Sequence, residues 1–253
     1  MKKVSLFMLV LLLAVMVSCS PTPRELRVFS GSVVKPVLDA ANVKFTKDEG
    51  IEIIPFYSGS GIALTQAILS NKGDIYISAS KNYIDKAIKK DFVEKSSVKT
   101  IARIVPAIVV KKGNPKGIHE IRDLLRGDVS FAIAAPGSVV IGDAAKKLFL
   151  KTGDADKYLE KVRTTAASAS QLFSFLTTGS VDVIIGWQIM KGWAPDKVDV
   201  INLPNDLTSG LESSIAAGIV RETKHRSEAG KYLEFLTGNY CQQIFKNYGY
   251  GVK

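Results

Sequence analysis

The sequence predicts an α/β architecture, on three observations. Segments of period two, rich in Val, Ile and aromatic residues, alternate along the chain with segments of period 3.6. The helical segments are long enough to cross between parallel strands covered on both faces. Of the 253 residues, 46% are hydrophobic, enough to bury one large core or two modest ones.

Each element follows in order. "LRVFS" at 26–30 alternates as a strand, and "KPVLDAANVKFTKDEG" at 35–50 reads as a helix with Pro36 in its first turn and Gly50 past its end. Val34, Leu38, Ala41 and Phe45 are spaced as its buried stripe. "IEIIPFY" is the next strand, followed by a helix from Ser60 to about Asn71, the strand "DIYISA" and the helix "NYIDKAIKK". Further on come the strand "VSFAIAA", a helix from about Val140 to Lys151, the strand "KVRTTAA", a helix near Ser170 to Thr178, and the strand "VDVIIGW". The sequence places His119 in a helical "GIHEIRDLL" and His225 in a helical "ETKHRSEAG", and ends in an amphipathic helix, "NYCQQIFKNYGY".

The first 18 residues are set apart from this pattern. Lys2 and Lys3 precede an apolar run from Val4 to Val17, too short to span a bilayer comfortably, and Ser18 precedes Cys19. This resembles a bacterial lipoprotein signal, which implies cleavage before Cys19, lipidation of its thiol, and an exported protein held to the membrane facing the periplasm or cell exterior. An uncleaved N-terminal anchor is the alternative, with the same topology. Without residues 1–18 the chain keeps 32 basic and 24 acidic residues, a net charge of +8. The basic residues are dispersed, as in Lys86, Lys89 and Lys90, with no basic run interleaved with aromatics, so nucleic acid is not the expected partner. If Cys19 carries lipid, Cys241 has no partner for a disulfide and reads as a small core residue.

Four strand-to-helix turns are built almost wholly of small neutral residues: "SGS" at 30–32, "SGSG" at 58–61, "APGSVVIG" at 135–142 and "AASAS" at 166–170. In an open parallel sheet such turns lie at the carboxyl ends of the strands, where ligands bind. Each also offers the unpaired N–H groups of a helix N-terminus, whose dipole favours an anion. One such turn is ordinary capping chemistry; four in one chain point to an oxyanion site made of hydroxyls and backbone amides.

These residues, with "LRVFSGSVVKPVLDAANVKF", "FYSGSGIALTQAI", "GDIYISAS", "KKGNP", "PGSVVIGDAAKKLF" and "IFKNYGYGVK", resemble the periplasmic molybdate and tungstate binding proteins of ABC transporters over nearly the whole chain. The resemblance implies a two-lobed periplasmic binding protein fold of type II, each lobe a mainly parallel sheet flanked by helices. Lobe I would hold 19–100 and 214–253, lobe II 101–213, with "IARIVPAIVV" and "SSIAAGIV" as the crossing segments. It further implies a monomer without cofactor that binds molybdate or tungstate in a hinged cleft and delivers it to permease subunits. Position by position, the family's oxyanion contacts fall on the hydroxyl and amide of Ser32, on Ser60, and on the backbone amides of Ile141 and Ala169. At the fifth, where several members carry a tyrosine, this chain has Trp187, whose indole N–H can donate but not accept. The ring either contacts the ligand or packs over the cleft. Two further departures are "AAPG", where relatives often have Asp before the Pro, and a first turn one residue longer than in many members.

A donor-only site suits molybdate, tungstate or sulfate, which are fully deprotonated at neutral pH and accept at every oxygen. Monohydrogen phosphate carries a proton and calls for an acceptor, for which Asp143 is the nearby candidate. Sulfate or phosphate receptors and small-organic-solute receptors are therefore the rival binding classes. Catalysis is not expected: "SGSG" lacks the G-x-S-x-G elbow of hydrolases, and two isolated histidines support neither a serine triad nor a zinc site.

Overall fold

The computed structural model describes residues 24–252; the signal segment 1–18 and Cys19 lie outside them. Ten strands form two five-stranded sheets. The first holds β1 (Arg24–Gly31), β2 (Ile51–Ser58), β3 (Ile75–Ser78), β4 (Lys99–Ile104) and β10 (Ser213–Ile219), in the order β2-β1-β3-β10-β4. The second holds β5 (Pro106–Lys111), β6 (Phe131–Ala134), β7 (Val162–Ala166), β8 (Val183–Trp187) and β9 (Val198–Asn202), in the order β7-β6-β8-β5-β9. The two orders are equivalent. In each sheet three neighbouring strands pair in parallel, and the fourth position is taken by a reversed strand, β10 or β5, that pairs antiparallel on both sides. The sheets are therefore mixed, with four strands of each sharing a direction.

The reversed strands follow from the chain's passage between lobes. β4 ends at Ile104 in the first sheet and β5 begins at Pro106 in the second, so the first crossing falls at Val105. Its backbone is tied to lobe II, where Gln188 N–H donates to Val105 O at 3.0 Å and the Gln188 side chain accepts from Val105 N–H. The return runs between β9 and β10. The stretch 101–104, assigned from the sequence to lobe II, thus pairs with β10 in lobe I. An alternating strand shows which faces are buried but not which sheet it joins.

Helices α1 (Lys35–Glu49), α2 (Ser60–Ser70) and α3 (Lys81–Lys89) cover the first sheet with α9 (Arg226–Thr237) and α10 (Asn239–Asn247); α4 (Val140–Thr152), α5 (Ala155–Lys161) and α6 (Ala169–Thr177) cover the second, with short turns α7 (Met190–Trp193) and α8 (Asn205–Thr208). The predicted stripe of α1 is buried throughout, joined by Val37, and α1 stops where Gly50 takes the left-handed conformation (φ 63°) and its N–H bonds Thr46 O at 3.0 Å. Strands β3, β6 and β8 are buried on both faces, as parallel strands under two helix layers must be. Helix α4 lies close against β6 because Gly142 has no side chain; a Cβ there would overlap the Ala134 carbonyl oxygen.

Two histidine placements differ from expectation. His119 lies in a loop before a 3-10 turn (Ile121–Leu125), where Asp123 accepts from the backbone N–H groups of His119 and Glu120 and caps a tighter turn than an α-helix. His225 is the residue just before α9, not within it. Among the described residues no group of three or more His, Cys, Asp or Glu is placed to hold a metal.

Candidate functional site

The carboxyl ends of β1 and β2 in lobe I face those of β6, β7 and β8 in lobe II, and the turns that follow gather around a small cavity that is partly open to solvent. Its wall is made by Gly31, Ser32 and Val33 of the first turn, Ser58, Gly59 and Ser60 of the second, Val139, Val140 and Ile141 of the third, Ala169 of the fourth, and Ala79 and Trp187. All five residues singled out from the sequence, Ser32, Ser60, Ile141, Ala169 and Trp187, line it, and none is more than 4% exposed. The longer first turn resolves simply. Ser32 faces the cavity, while Ser30 is buried behind it with its hydroxyl on Gly31 O at 3.1 Å.

The local geometry leaves donors aimed inward. Helix α2 starts after Gly59 and α4 after Val139, and neither has a side-chain cap, so the N–H groups of Ser60 at the start of α2 and of Val140 and Ile141 at the start of α4 have no helical acceptor. At the fourth turn Ser168 caps α6 by accepting from Gln171 N–H (3.1 Å), and Ala169 is the first residue of the helix. Ser60 Oγ accepts from Ala79 N–H at 3.2 Å, and its carbonyl accepts from the buried Tyr76 hydroxyl at 2.8 Å. With its acceptor role used on Ala79, the Ser60 hydroxyl has its proton to donate. Ser32 is arranged alike, accepting from Ser170 N–H of lobe II at 3.1 Å. Three helix N-termini and two serine hydroxyls thus converge on one small volume whose lining carries no ionisable side chain.

Asp143, the candidate acceptor for a protonated oxyanion, is engaged elsewhere. It accepts from Gly137 N–H at 2.6 Å, which fastens the third turn, and takes no part in the cavity wall. The lobes meet around the cavity. Gly61 N–H donates to Ser138 O (3.1 Å) and the Tyr83 hydroxyl to Gly137 O (2.8 Å), while a Cβ on Gly59 would come within 2.9 Å of Ser138 O and Ala167 O and 2.8 Å of Val139 Cγ2. Burial, followed by the nearby Asp143 charge, holds the Tyr83 phenol above its ordinary pKa, so it remains a donor at neutral pH. Sequence reasoning missed Tyr83, Gly61 and Ser138 as partners, because nothing in the spacing of a helix tyrosine reveals a carbonyl 54 positions away.

Trp187 ends β8, opposite Pro106, with its ring almost wholly enclosed against the cavity. It is the largest fully buried side chain among the described residues, so it forms wall as well as offering an N–H.

Comparison with known proteins fits this architecture. The profile of the bacterial extracellular solute-binding protein family matches residues 26–251. The chain is similar to the molybdate-binding protein of Escherichia coli, 22% identical over 235 residues that cover 90% of each. It is similar to the sulfate-binding protein of the same organism, 24% identical over 235 residues, 83% of this chain and 71% of that one. Among solved structures, the periplasmic molybdate-binding protein of Azotobacter vinelandii superposes with a TM-score of 0.81 at 19% identity, over 90% of this chain and 99% of the other.

Proposed function

Because this chain belongs to the bacterial extracellular solute-binding protein family, we propose that it captures a fully deprotonated tetrahedral oxyanion, molybdate or tungstate, between its lobes for an ABC importer. The observation that carries this reading is a small cavity between the lobes walled by serine hydroxyls and helix N-termini, with its neighbouring carboxylate engaged elsewhere. In that reading Ser32 and Ser60 donate their hydroxyl protons, the first-turn amides of Ile141 and Ala169 donate from lobe II, and Trp187 bounds the ligand and adds its indole N–H. Hydrogen bonds to a charged acceptor are about twice as strong as neutral ones, and the buried site screens them little. Protonated phosphate would leave its O–H facing donors alone. Lipid on Cys19 would keep the protein beside its permease.

A sulfate-type receptor is the second reading, favoured by the similarity to a sulfate-binding protein. Sulfate has the same acceptor-only chemistry, so cavity size has to make the choice. Calorimetric titration of the protein without residues 1–18 with molybdate, tungstate, sulfate and phosphate separates the cases. Submicromolar binding of the first two alone is expected. Tight sulfate binding supports the second reading, and binding of phosphate alone would overturn the donor-only argument.

A further inference from the structure

The C-terminal segment after α10 is not part of the cavity wall, yet it reaches the backbone that is. Tyr250 is 3% exposed, packs edge-on to Phe245 at 5.2 Å, and donates its hydroxyl to Val33 O in the first turn, one residue from Ser32. The same hydroxyl accepts from Trp193 Nε1 at 3.4 Å, and Trp193 belongs to α7 of lobe II. Trp193 in turn packs edge-on to Phe173 (5.2 Å) of α6, the helix whose Ser170 N–H donates to Ser32 Oγ. The tail is held in place from both lobes. Gly251 and Arg103 exchange backbone hydrogen bonds (2.7 and 3.0 Å) two residues before the crossing at Val105, and Gly192 of α7 lies so close to Tyr248 that a Cβ would overlap its carbonyl oxygen.

We propose that Tyr250 is a positioning residue of the ligand site: its hydroxyl fixes the first turn so that Ser32 faces the cavity, and Trp193 aligns that hydroxyl from the opposite lobe. A hydroxyl rotor can point in many directions. An N–H donor on one side leaves its proton directed at the carbonyl on the other. The tail thereby joins the two crossing segments as a third connection between the lobes, and Ser32 is held from both sides, by Val33–Tyr250 along its own backbone and by Ser170 across the cleft.

This inference rests on the oxyanion reading for its effect on affinity but not for its effect on the first turn. The test compares the parent with Tyr250→Phe, which keeps its ring, with Trp193→Phe, which keeps an aromatic ring against Phe173 but loses the indole N–H, and with the double variant. Amide hydrogen exchange at Ser32–Val34, measured without ligand, should speed up roughly two- to tenfold in Tyr250→Phe, the range for one lost hydrogen bond, with other lobe I strands unchanged. Molybdate affinity by calorimetry should fall by a similar factor. The double variant should lose less than the sum of the two single losses, because the indole N–H has no hydroxyl to align once Tyr250 is Phe. Unaltered first-turn exchange in Tyr250→Phe would overturn the proposal, as would strict additivity of the two substitutions. If the parent binds none of the four oxyanions, the functional reading fails, and the exchange result alone decides for or against the positioning role.

Discussion

Ser60 and Gly59 show how adjacent residues in one turn serve different ends. Ser60 supplies a hydroxyl whose acceptor side is used on Ala79 N–H, so Ser60→Ala should weaken oxyanion binding by about 1.5–3 kcal/mol, the range for hydrogen bonds to charged groups. Calorimetry checks this, and unaltered affinity would place the site elsewhere. Gly59 supplies absence. Its φ of −64° and ψ of 145° suit any residue, so Gly59→Ala should fold with a thermal midpoint close to the parent's. Its Cβ would nevertheless meet two lobe II carbonyl oxygens at 2.9 Å, which belong to backbone and cannot swing aside. Affinity should therefore drop at least about tenfold through loss of closure, more than 1.4 kcal/mol; equal affinity would mean that the lobes do not close this tightly around ligand. The serine was legible in "SGSG" because a small polar residue opening a helix has a recognised chemistry. The glycine's role was not, because the atoms that exclude a side chain lie on residues about 80 to 108 positions away.

At the scale of elements, the site is a set of helix beginnings held by contacts beyond the helical hydrogen-bond ladder. The third turn is fastened by Asp143 on Gly137 N–H and by Tyr83 on Gly137 O, one contact within lobe II and one across the cleft. Tyr83→Phe should leave the unfolding free energy near the parent's and speed ligand release roughly two- to tenfold, the worth of one neutral hydrogen bond; stopped-flow displacement reads this directly. Gly142→Ala should do the opposite. A methyl against the Ala134 carbonyl forces α4 off β6, at a cost of about 1–3 kcal/mol in urea unfolding. Most of the elements were readable from period and turn chemistry, including the buried stripe of α1 and its stop at Gly50. The misplacement of His119 has a physical cause. "GIHEIRDLL" has helical spacing, but Asp123 gathers two backbone N–H groups into a 3-10 turn.

For the molecule as a whole, charge lies outside the cavity, which fixes how pH should act. With no ionisable group in the lining, oxyanion affinity should stay level from roughly pH 6 to pH 9, between the ordinary ranges of carboxylates and lysines. A titrating step within that window would reveal a carboxylate or histidine in contact with ligand. Stability should behave differently at the alkaline end. Burial pushes the Cys241 thiol up to about 12, and burial raises the Tyr76 and Tyr232 phenols as well. Their folded pKa values exceed the unfolded ones, so their contribution is complete below about pH 8.5, the unfolded thiol's pKa, and is lost progressively as pH rises above it. Urea midpoints measured across that range check the sign. The sequence by itself determined the α/β class, the order of strands and helices through most of the chain, and the four small neutral turns, because these depend on periodicity and on residues near one another in the chain. Only the tertiary structure decided that the sheets are mixed, that the chain changes lobe at Val105, that Ser32 rather than Ser30 faces the cavity, and that Tyr83 and Tyr250 hold its walls. Those outcomes depend on which distant backbone groups are left without a partner and on which side chain arrives to meet them, and neither is written in local spacing.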